Sequence, residues 1–231
     1  MVASIAKLAL TATLGASLVA CAGSASAPNG VASKSPTQIV AAARAAAVGA
    51  ATVHVAGSII VQGTPISFNM ELVADKGGTG RISLGDLSMQ LVELDGYLYV
   101  RGNADFYEHF AGAPAAQRLR GAWLKGAADG AALRPLAELT SLRKLLGITL
   151  ADHGALTRTA DATVAGRSAV GVSDLAQGGT VYVAATGTPY PLEIVWNGEH
   201  GGKLAFNDWN KPAEPSAPVH AISVKQLQSK D

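Results

Sequence analysis

The stretch Leu87-Ser88-Met89-Gln90-Leu91-Val92-Glu93-Leu94-Asp95-Gly96-Tyr97-Leu98-Tyr99-Val100-Arg101 decides the fold of this chain. Its apolar residues Leu87, Met89 and Leu91 alternate with polar ones, the period of a strand with one buried face. The pair Asp95-Gly96 is a strong hairpin signal, because both central residues of a type I′ turn need positive φ. The stretch therefore predicts two antiparallel strands that share an apolar face.

The same alternation recurs before and after this hairpin. Glycine-containing turns separate the runs, which is typical of an antiparallel meander. We expect further strands over 53–61, 66–72, 82–84, 156–164, 169–174, 180–184, 192–196 and 203–207. Prolines at 212, 215 and 218 are expected to end regular structure before a polar tail.

Helical signals lie at three places between these strands. Ser35-Pro36-Thr37-Gln38 predicts a capping box that opens a helix reaching about Gly49. Asn103 is expected to cap a short helix, with another turn or two over 115–119. Pro135 begins a pattern with leucines on one side, which predicts a single longer helix.

These elements predict an α+β fold with one large, strongly curved antiparallel sheet, which the helices must cover somewhere. Of the 231 residues, 48% are hydrophobic and 15% are charged, which favours one folded domain, here placed at 36–231. Lysine and arginine number 18 against 17 aspartate and glutamate residues, which argues against a nucleic-acid partner.

The first residues are typical of a targeting signal. Lys7 precedes an uncharged run, Leu8 to Ala20, which is shorter than the roughly 20 residues of a membrane-spanning helix. The run ends in Leu18-Val19-Ala20-Cys21, a bacterial lipobox, in which Cys21 receives a diacylglyceryl group before cleavage. We therefore expect a signal peptide at 1–20, a lipidated Cys21 with a flexible tether to residue 35, and a domain on the extracytoplasmic side of the cell membrane.

An alternative for the same segment is an ordinary secreted protein. Cleavage after Ala25 or Ala27 in Ser24-Ala25-Ser26-Ala27 would then discard Cys21.

Candidate catalytic and metal-binding patterns are incomplete. Gly166-Arg167-Ser168-Ala169-Val170 lacks the second glycine of a nucleophile elbow, and Asp152-His153 has no matching nucleophile. The histidines have no metal-site spacing, and Lys76-Gly77-Gly78-Thr79-Gly80 lacks the ending of a phosphate loop and is expected to be a hairpin turn. We expect no enzyme activity, no cofactor and no metal.

The apolar face of the sheet supports two interpretations, a packed core or a hydrophobic cavity. Abundant alanine and glycine on the covering helices favour unfilled volume beneath them. The expected lining residues, which assume no shift in strand parity, are Ile59, Val61, Phe68, Met70, Leu72, Ile82, Leu84, Met89, Leu91, Leu98 and Val100 from the sheet, and Leu136, Leu139 and Leu142 from the helix.

The sequence resembles the mycobacterial LppX/LprAFG lipoprotein family. The likeness spans 21 to about 218 and rests on the lipobox, the alanine-rich helix, and the stretches 94–100, 187–194 and 206–212. The sequence departs from that family at 213–216, where the family continues as an extended apolar strand. The resemblance implies a half-barrel of antiparallel strands, with helices covering its concave face, that encloses a hydrophobic cavity for acylated lipids, a fold shared with LolA and LolB.

Two functions follow as hypotheses. The first is a membrane-anchored, non-enzymatic lipoprotein that binds an acylated lipid or glycolipid and carries it across the cell envelope. The second is an interaction lipoprotein with a filled core, whose partner is an envelope transporter or a cell-wall enzyme. The aromatic residues Phe106, Tyr107 and Phe110 would form a lid in the first case and a contact surface in the second.

Overall fold

The computed structural model describes residues 27–150, 154–176, 178–198 and 201–228. The predicted signal peptide and Cys21 lie outside the described residues, as do Asp152, His153 and His200. Within the described ranges thirteen strands form one sheet. They are β1 Thr52–Val61, β2 Thr64–Val73, β3 Gly77–Leu84, β4 Leu87–Leu94, β5 Tyr97–Gly102, β6 Leu124–Ala127, β7 Leu156–Arg158, β8 Ala162–Val164, β9 Arg167–Asp174, β10 Gly179–Ala184, β11 Pro191–Trp196, β12 Gly202–Asn207 and β13 Ile222–Ser223.

The sheet is open and curved, in the order β13-β6-β5-β4-β3-β2-β1-β12-β11-β10-β9-β7, with β8 paired to β9. Every pairing is antiparallel except that of β13 with β6. The β4–β5 hairpin forms as predicted: Leu94 pairs with Tyr97, and Asp95 and Gly96 take φ values of 52° and 75°. Lys76 ends the preceding turn, but Gly77 to Gly80 belong to β3, so the predicted turn over 76–80 is mostly strand.

Glycines on the inner face of the sheet stand opposite long side chains. Gly57 pairs with Phe68, Gly80 with Met70, and Gly202 with Trp196. Other such pairs are Gly78 with Leu72, Gly102 with Met89, Gly126 with Leu98, and Gly179 with Trp196. A glycine on a concave face removes a Cβ where side chains crowd together, so these pairs let the sheet bend inward.

Helices cover the inner face. They are α1 Pro36–Val48, α2 Ala104–Ala111, α3 Ala113–Arg118, α4 Arg134–Ala137, α5 Leu142–Thr149 and α6 Val224–Gln228, with 3₁₀ turns at Val31–Ser33 and Glu138–Thr140. The capping box of α1 and the Asn103 cap of α2 form as predicted.

The single helix predicted from Pro135 is wrong, because the chain breaks into α4, a 3₁₀ turn and α5. The buried Thr140 hydroxyl donates to the Glu93 carboxylate of β4, and Ser141 is extended. A tertiary hydrogen bond to the sheet thus replaces helical continuity at this point.

The chain before α1 packs against the sheet from Pro28 onward, although we expected a flexible tether to residue 35. The Asn29 backbone N–H donates to the Ala185 carbonyl at 3.1 Å, and its side chain donates to the Ala184 carbonyl at 2.8 Å. Val31 is 1% exposed among side chains of α1, β9 and β10. The glycine- and serine-rich composition of this segment did not predict that it packs against the sheet, because the packing depends on only two residues, Val31 and Asn29.

The C-terminal segment also departs from the prediction. Thr52 donates through its hydroxyl to the Lys211 carbonyl at 2.6 Å, and residues 214–219 then face the outer side of β3 to β5. The backbone N–H of Ile222 donates to the Trp123 carbonyl at 2.7 Å, and α6 follows on the inner face. The segment therefore passes around the β6 edge and adds both a strand and a helix.

The inner-face glycines generate a stability prediction. Gly57→Ala should destabilise the fold by at least about 2 kcal/mol, because its φ is +146° and a Cβ would lie 2.0 Å from the Lys203 carbonyl oxygen. The control is Gly147→Ala in α5, where a Cβ meets nothing within 4 Å and the change should stabilise by about 0.5–1 kcal/mol. Urea unfolding measures both, and equal midpoints for the two variants would contradict this account of the curvature.

Candidate functional site

A first cavity of about 340 Å³, here called the α5 cavity, lies between the sheet and helices α1 and α5. Its walls come from β1, β2 and the strands β7 and β9 to β12, together with the two helices. The lining residues are Val40, Val55, Ile59, Phe68, Leu145, Thr149, Leu150, Leu156, Val172, Asp174, Gly179, Val181, Ile194, Trp196 and Leu204.

Two polar side chains in this wall, Thr149 and Asp174, have partners within the protein. The Thr149 hydroxyl donates to the Leu145 carbonyl at 2.6 Å, one turn back along α5. The Asp174 carboxylate accepts from the Ala176 backbone N–H at 2.9 Å. The α5 cavity therefore offers a mainly apolar surface with one carboxylate.

A second cavity of about 690 Å³, here called the α2 cavity, lies at the β6 end of the sheet. Its walls come from β5, β6 and the helices α2, α3, α4 and α6. The lining residues are Val100, Phe106, Tyr107, Phe110, Ala111, Pro114, Arg118, Leu119, Leu124, Ala132, Leu133, Pro135, Leu136, Val224 and Leu227. Ligand pockets typically occupy about 300–1,000 Å³ and are mostly apolar, so both cavities fall within that class.

The aromatic residues of α2 form one wall of the α2 cavity. Phe106 is buried and its ring lies 4.8 Å from that of Phe110, which is 59% exposed. Phe110 therefore lies at the boundary between the cavity and water. Folding of the domain does not require so large an apolar side chain to be exposed at this position.

Tyr107 contributes a hydroxyl whose one proton is already used. Its hydroxyl lies 3.2 Å from the Val100 carbonyl oxygen and 3.0 Å from that of Ala122, and can donate to either. Burial raises the pKa of Tyr107 above its ordinary value of 10.0, an effect that a backbone hydrogen bond with Gly102 and the nearby Arg101 charge offset in part. The hydroxyl thus stays protonated and ties α2 to β5.

The inner face between the two cavities is filled. Strands β3 and β4 contribute no residue to either wall, and the 3₁₀ turn at Glu138–Thr140 contacts both strands. Among the predicted lining residues, those buried in this packed region are Met70, Leu72, Ile82, Met89, Leu91, Leu98 and Leu142. The predicted face is right for these residues, but they line neither cavity because they pack against one another in the core.

The other predicted lining residues divide between wall and periphery. Ile59 and Phe68 line the α5 cavity, and Val100 and Leu136 line the α2 cavity, so their contact with a ligand stays a prediction. Leu139 packs against the core, and Leu84 is half-buried. Val61 is 43% exposed, because it lies beside the β1–β2 turn.

The sequence analysis did not predict the wall residues that come from β9 to β12 and from α6. The wall residues on β9 to β12 could have been predicted from the same alternation that located those strands. The contributions of Val224 and Leu227 had no local signal, because α6 reaches the α2 cavity only after the C-terminal segment rounds the sheet edge.

The residues weighed for catalysis and metal binding do not assemble within the described parts of the chain. Ser168 is exposed on β9, and no group of three or more His, Cys, Asp or Glu side chains there could hold a metal ion. No helix among residues 27–228, their gaps aside, has both the length and the hydropathy needed to cross a membrane.

The Tyr107 contacts generate a pH-dependent prediction. Tyr107→Phe should lower the free energy of unfolding at pH 7.5 by about 1–3 kcal/mol, because buried carbonyls lose a donor. The pKa of Tyr107 is raised by folding, so the unfolded chain loses this proton first and the wild type loses stability as pH rises above about 10. The Tyr107→Phe variant has no hydroxyl to titrate, so its free energy of unfolding lacks this pH-dependent contribution.

Urea unfolding at pH 7.5 and 10.5 tests this. The stability difference between wild type and Tyr107→Phe should shrink at the higher pH. Tyr97→Phe serves as the control, since Tyr97 is 45% exposed, and should match the wild type at pH 7.5. A difference that is constant with pH would contradict the assignment.

Comparisons with known proteins identify the fold. No protein-family model matches the sequence, and no curated protein matches it. Among solved structures, LprF from Mycobacterium bovis superposes with a TM-score of 0.55 at 14% identity, covering 79% of this chain and 96% of that one. The Mycobacterium tuberculosis lipoprotein LppX superposes with a TM-score of 0.50 at 16% identity, covering 79% of this chain and 100% of that one. The open curved sheet with helices on one face is therefore the fold of LprF and LppX, as the resemblance implied.

Proposed function

We propose that the protein is a membrane-anchored lipoprotein that binds acylated lipids and carries them across the cell envelope without catalysing a reaction. The observation that supports this best is the α2 cavity, about 690 Å³ of apolar-walled space beneath an exposed Phe110. The polar wall atoms of both cavities are largely engaged within the protein, so the enclosed surface suits hydrocarbon.

The energetics of acyl chains explain why such a cavity is useful. Each methylene that leaves an apolar environment for water costs about 0.8 kcal/mol, so a sixteen-carbon chain costs on the order of ten kcal/mol. A lipid would rarely leave its membrane against that cost. A cavity lined by leucine, valine and phenylalanine side chains removes most of it.

The fold supports the same proposal by analogy. LppX is a lipoprotein, and it shares the curved sheet and the helical cover with this chain. A shared fold allows several functions, so the cavity walls carry the argument and the likeness adds to it.

The first test blocks the α2 cavity with a matched pair of substitutions. Ala132→Trp places an indole in the cavity wall, whereas Ala131→Trp adds the same group at an exposed neighbour that does not line the cavity. We expect native mass spectrometry of protein purified from its own membranes to detect bound lipid in wild type and Ala131→Trp, and less of it in Ala132→Trp. The same lipid content in all three would count against the α2 cavity as the site.

The membrane anchor has its own test. We propose that Cys21 is lipidated and that residues 1–20 are then removed, so Cys21→Ser should move the protein from the membrane fraction to the soluble fraction. Mass spectrometry of the N-terminal peptide should show a diacylglyceryl adduct on Cys21. An unmodified peptide that begins at Ser26 or Pro28 would instead indicate the secreted alternative.

The rival function, an interaction lipoprotein, is favoured by the filled region between the two cavities. Leu72, Leu91 and Leu142 are buried there in one core cluster, and the described residues form two separate cavities along the sheet. If the α2 cavity also closes in solution, Ala132→Trp should lose about 1–3 kcal/mol of stability through overpacking, with no change in lipid content. Unchanged stability with reduced lipid content supports the carrier.

A further inference from the structure

We propose that the α2 cavity selects acylated anions and that Arg118 holds their carboxylate or phosphate headgroup at the cavity wall. This inference rests on the proposed lipid binding and adds the headgroup class. It follows from the placement of charge around the two cavities.

Arg118 is the one charged side chain in the wall of the α2 cavity, as far as the described residues show. It is the last residue of α3 and is exposed, so its guanidinium lies where the cavity meets solvent. A guanidinium has five donors in a planar fork that matches a carboxylate or a phosphate in a bidentate arrangement. It can therefore engage a headgroup while also contacting the protein.

The segments around the same cavity carry additional positive charge. Arg120, Arg134 and Lys225 are exposed, and each directly follows or precedes a residue of the cavity wall. The acidic residues of α2, Asp105 and Glu108, instead line a separate shallow groove with Asp86 and His109. The exposed basic residues therefore adjoin the wall of the α2 cavity, whereas the acidic residues of α2 line a different groove.

Among the residues that the structure describes, none in the interior of the α2 cavity carries a charge or a free donor that would satisfy an anion. The Tyr107 hydroxyl is engaged with backbone carbonyls, and the deeper walls are aliphatic or aromatic. Burying an unpaired charge there would be costly, so the hydrocarbon enters and the anion stays beside Arg118.

The α5 cavity has the opposite charge. Its one charged wall residue, among the described residues, is Asp174. A carboxylate or phosphate placed there would face a like charge, which disfavours binding. The same amphiphile is therefore directed to the α2 cavity.

The test uses three ligands with one hexadecyl chain length and different headgroups: palmitate, hexadecyl phosphate and hexadecanol. Native mass spectrometry titrations compare the delipidated full-length wild type with Arg118→Gln, Arg118→Lys and Arg44→Gln, where Arg44 is exposed on α1 and lines neither cavity. We expect Arg118→Gln to bind both anions roughly ten to a hundred times more weakly, which is the range for a charge-assisted hydrogen bond, and to bind hexadecanol unchanged. Arg118→Lys should recover part of the loss, and Arg44→Gln should resemble the wild type.

Each outcome discriminates. Equal weakening of all three ligands by Arg118→Gln would make Arg118 a structural residue and overturn the inference, and so would an unchanged preference for anions. If Arg118→Gln weakens the binding of only one anion, the preferred headgroup is the one whose binding is weakened.

A second variant tests where the ligand lies. Ala132→Trp should abolish anion binding if the ligand occupies the α2 cavity, and anion binding that persists in this variant would also overturn the assignment. Failure of the wild type to bind any of the three would contradict the proposed function itself.

Discussion

The close approach of strands on the inner face of the sheet is the constraint on which the rest of the structure depends. A Cβ at Gly80 would lie 2.2 Å from the Asn69 carbonyl oxygen, and one at Gly102 would lie 2.2 Å from the Phe106 ring. Long side chains on neighbouring strands occupy the space that these glycines leave. The sheet can therefore bend inward and still present methionine, phenylalanine and tryptophan to the helices.

Curvature and helix placement together divide the inner face into three regions. The 3₁₀ turn at Glu138–Thr140 contacts β3 and β4, where the core is filled, and a cavity remains on either side of this filled region. A sheet of this width cannot be filled by short helices rich in alanine and glycine. The volume left at its two ends is apolar because the strand faces that border it are apolar.

The two cavities differ in how they are closed. The α5 cavity lies within the meander and its helical cover, whereas α6 completes the α2 cavity after the chain has crossed the outer face. That crossing also covers outward-facing residues of the sheet, since Val92 and Tyr99 are nearly buried. The terminal segment thus contributes to both faces, and the two cavities carry wall charges of opposite sign.

The sequence by itself determined the strands other than β6, β13 and the first part of β3. It also determined the β4–β5 hairpin, the first two helix caps and the apolar face, because each depends on residues close together in the chain. It also determined that the inner residues would be apolar, since alternation assigns a face regardless of what covers it. It did not determine which of them border empty space. Met70 and Phe68 have the same alternation on the same strand, yet Met70 packs in the core and Phe68 lines a cavity. Only the tertiary structure decided between them, because the distance from sheet to helix depends on contacts such as Thr140 with Glu93 that join segments far apart in sequence.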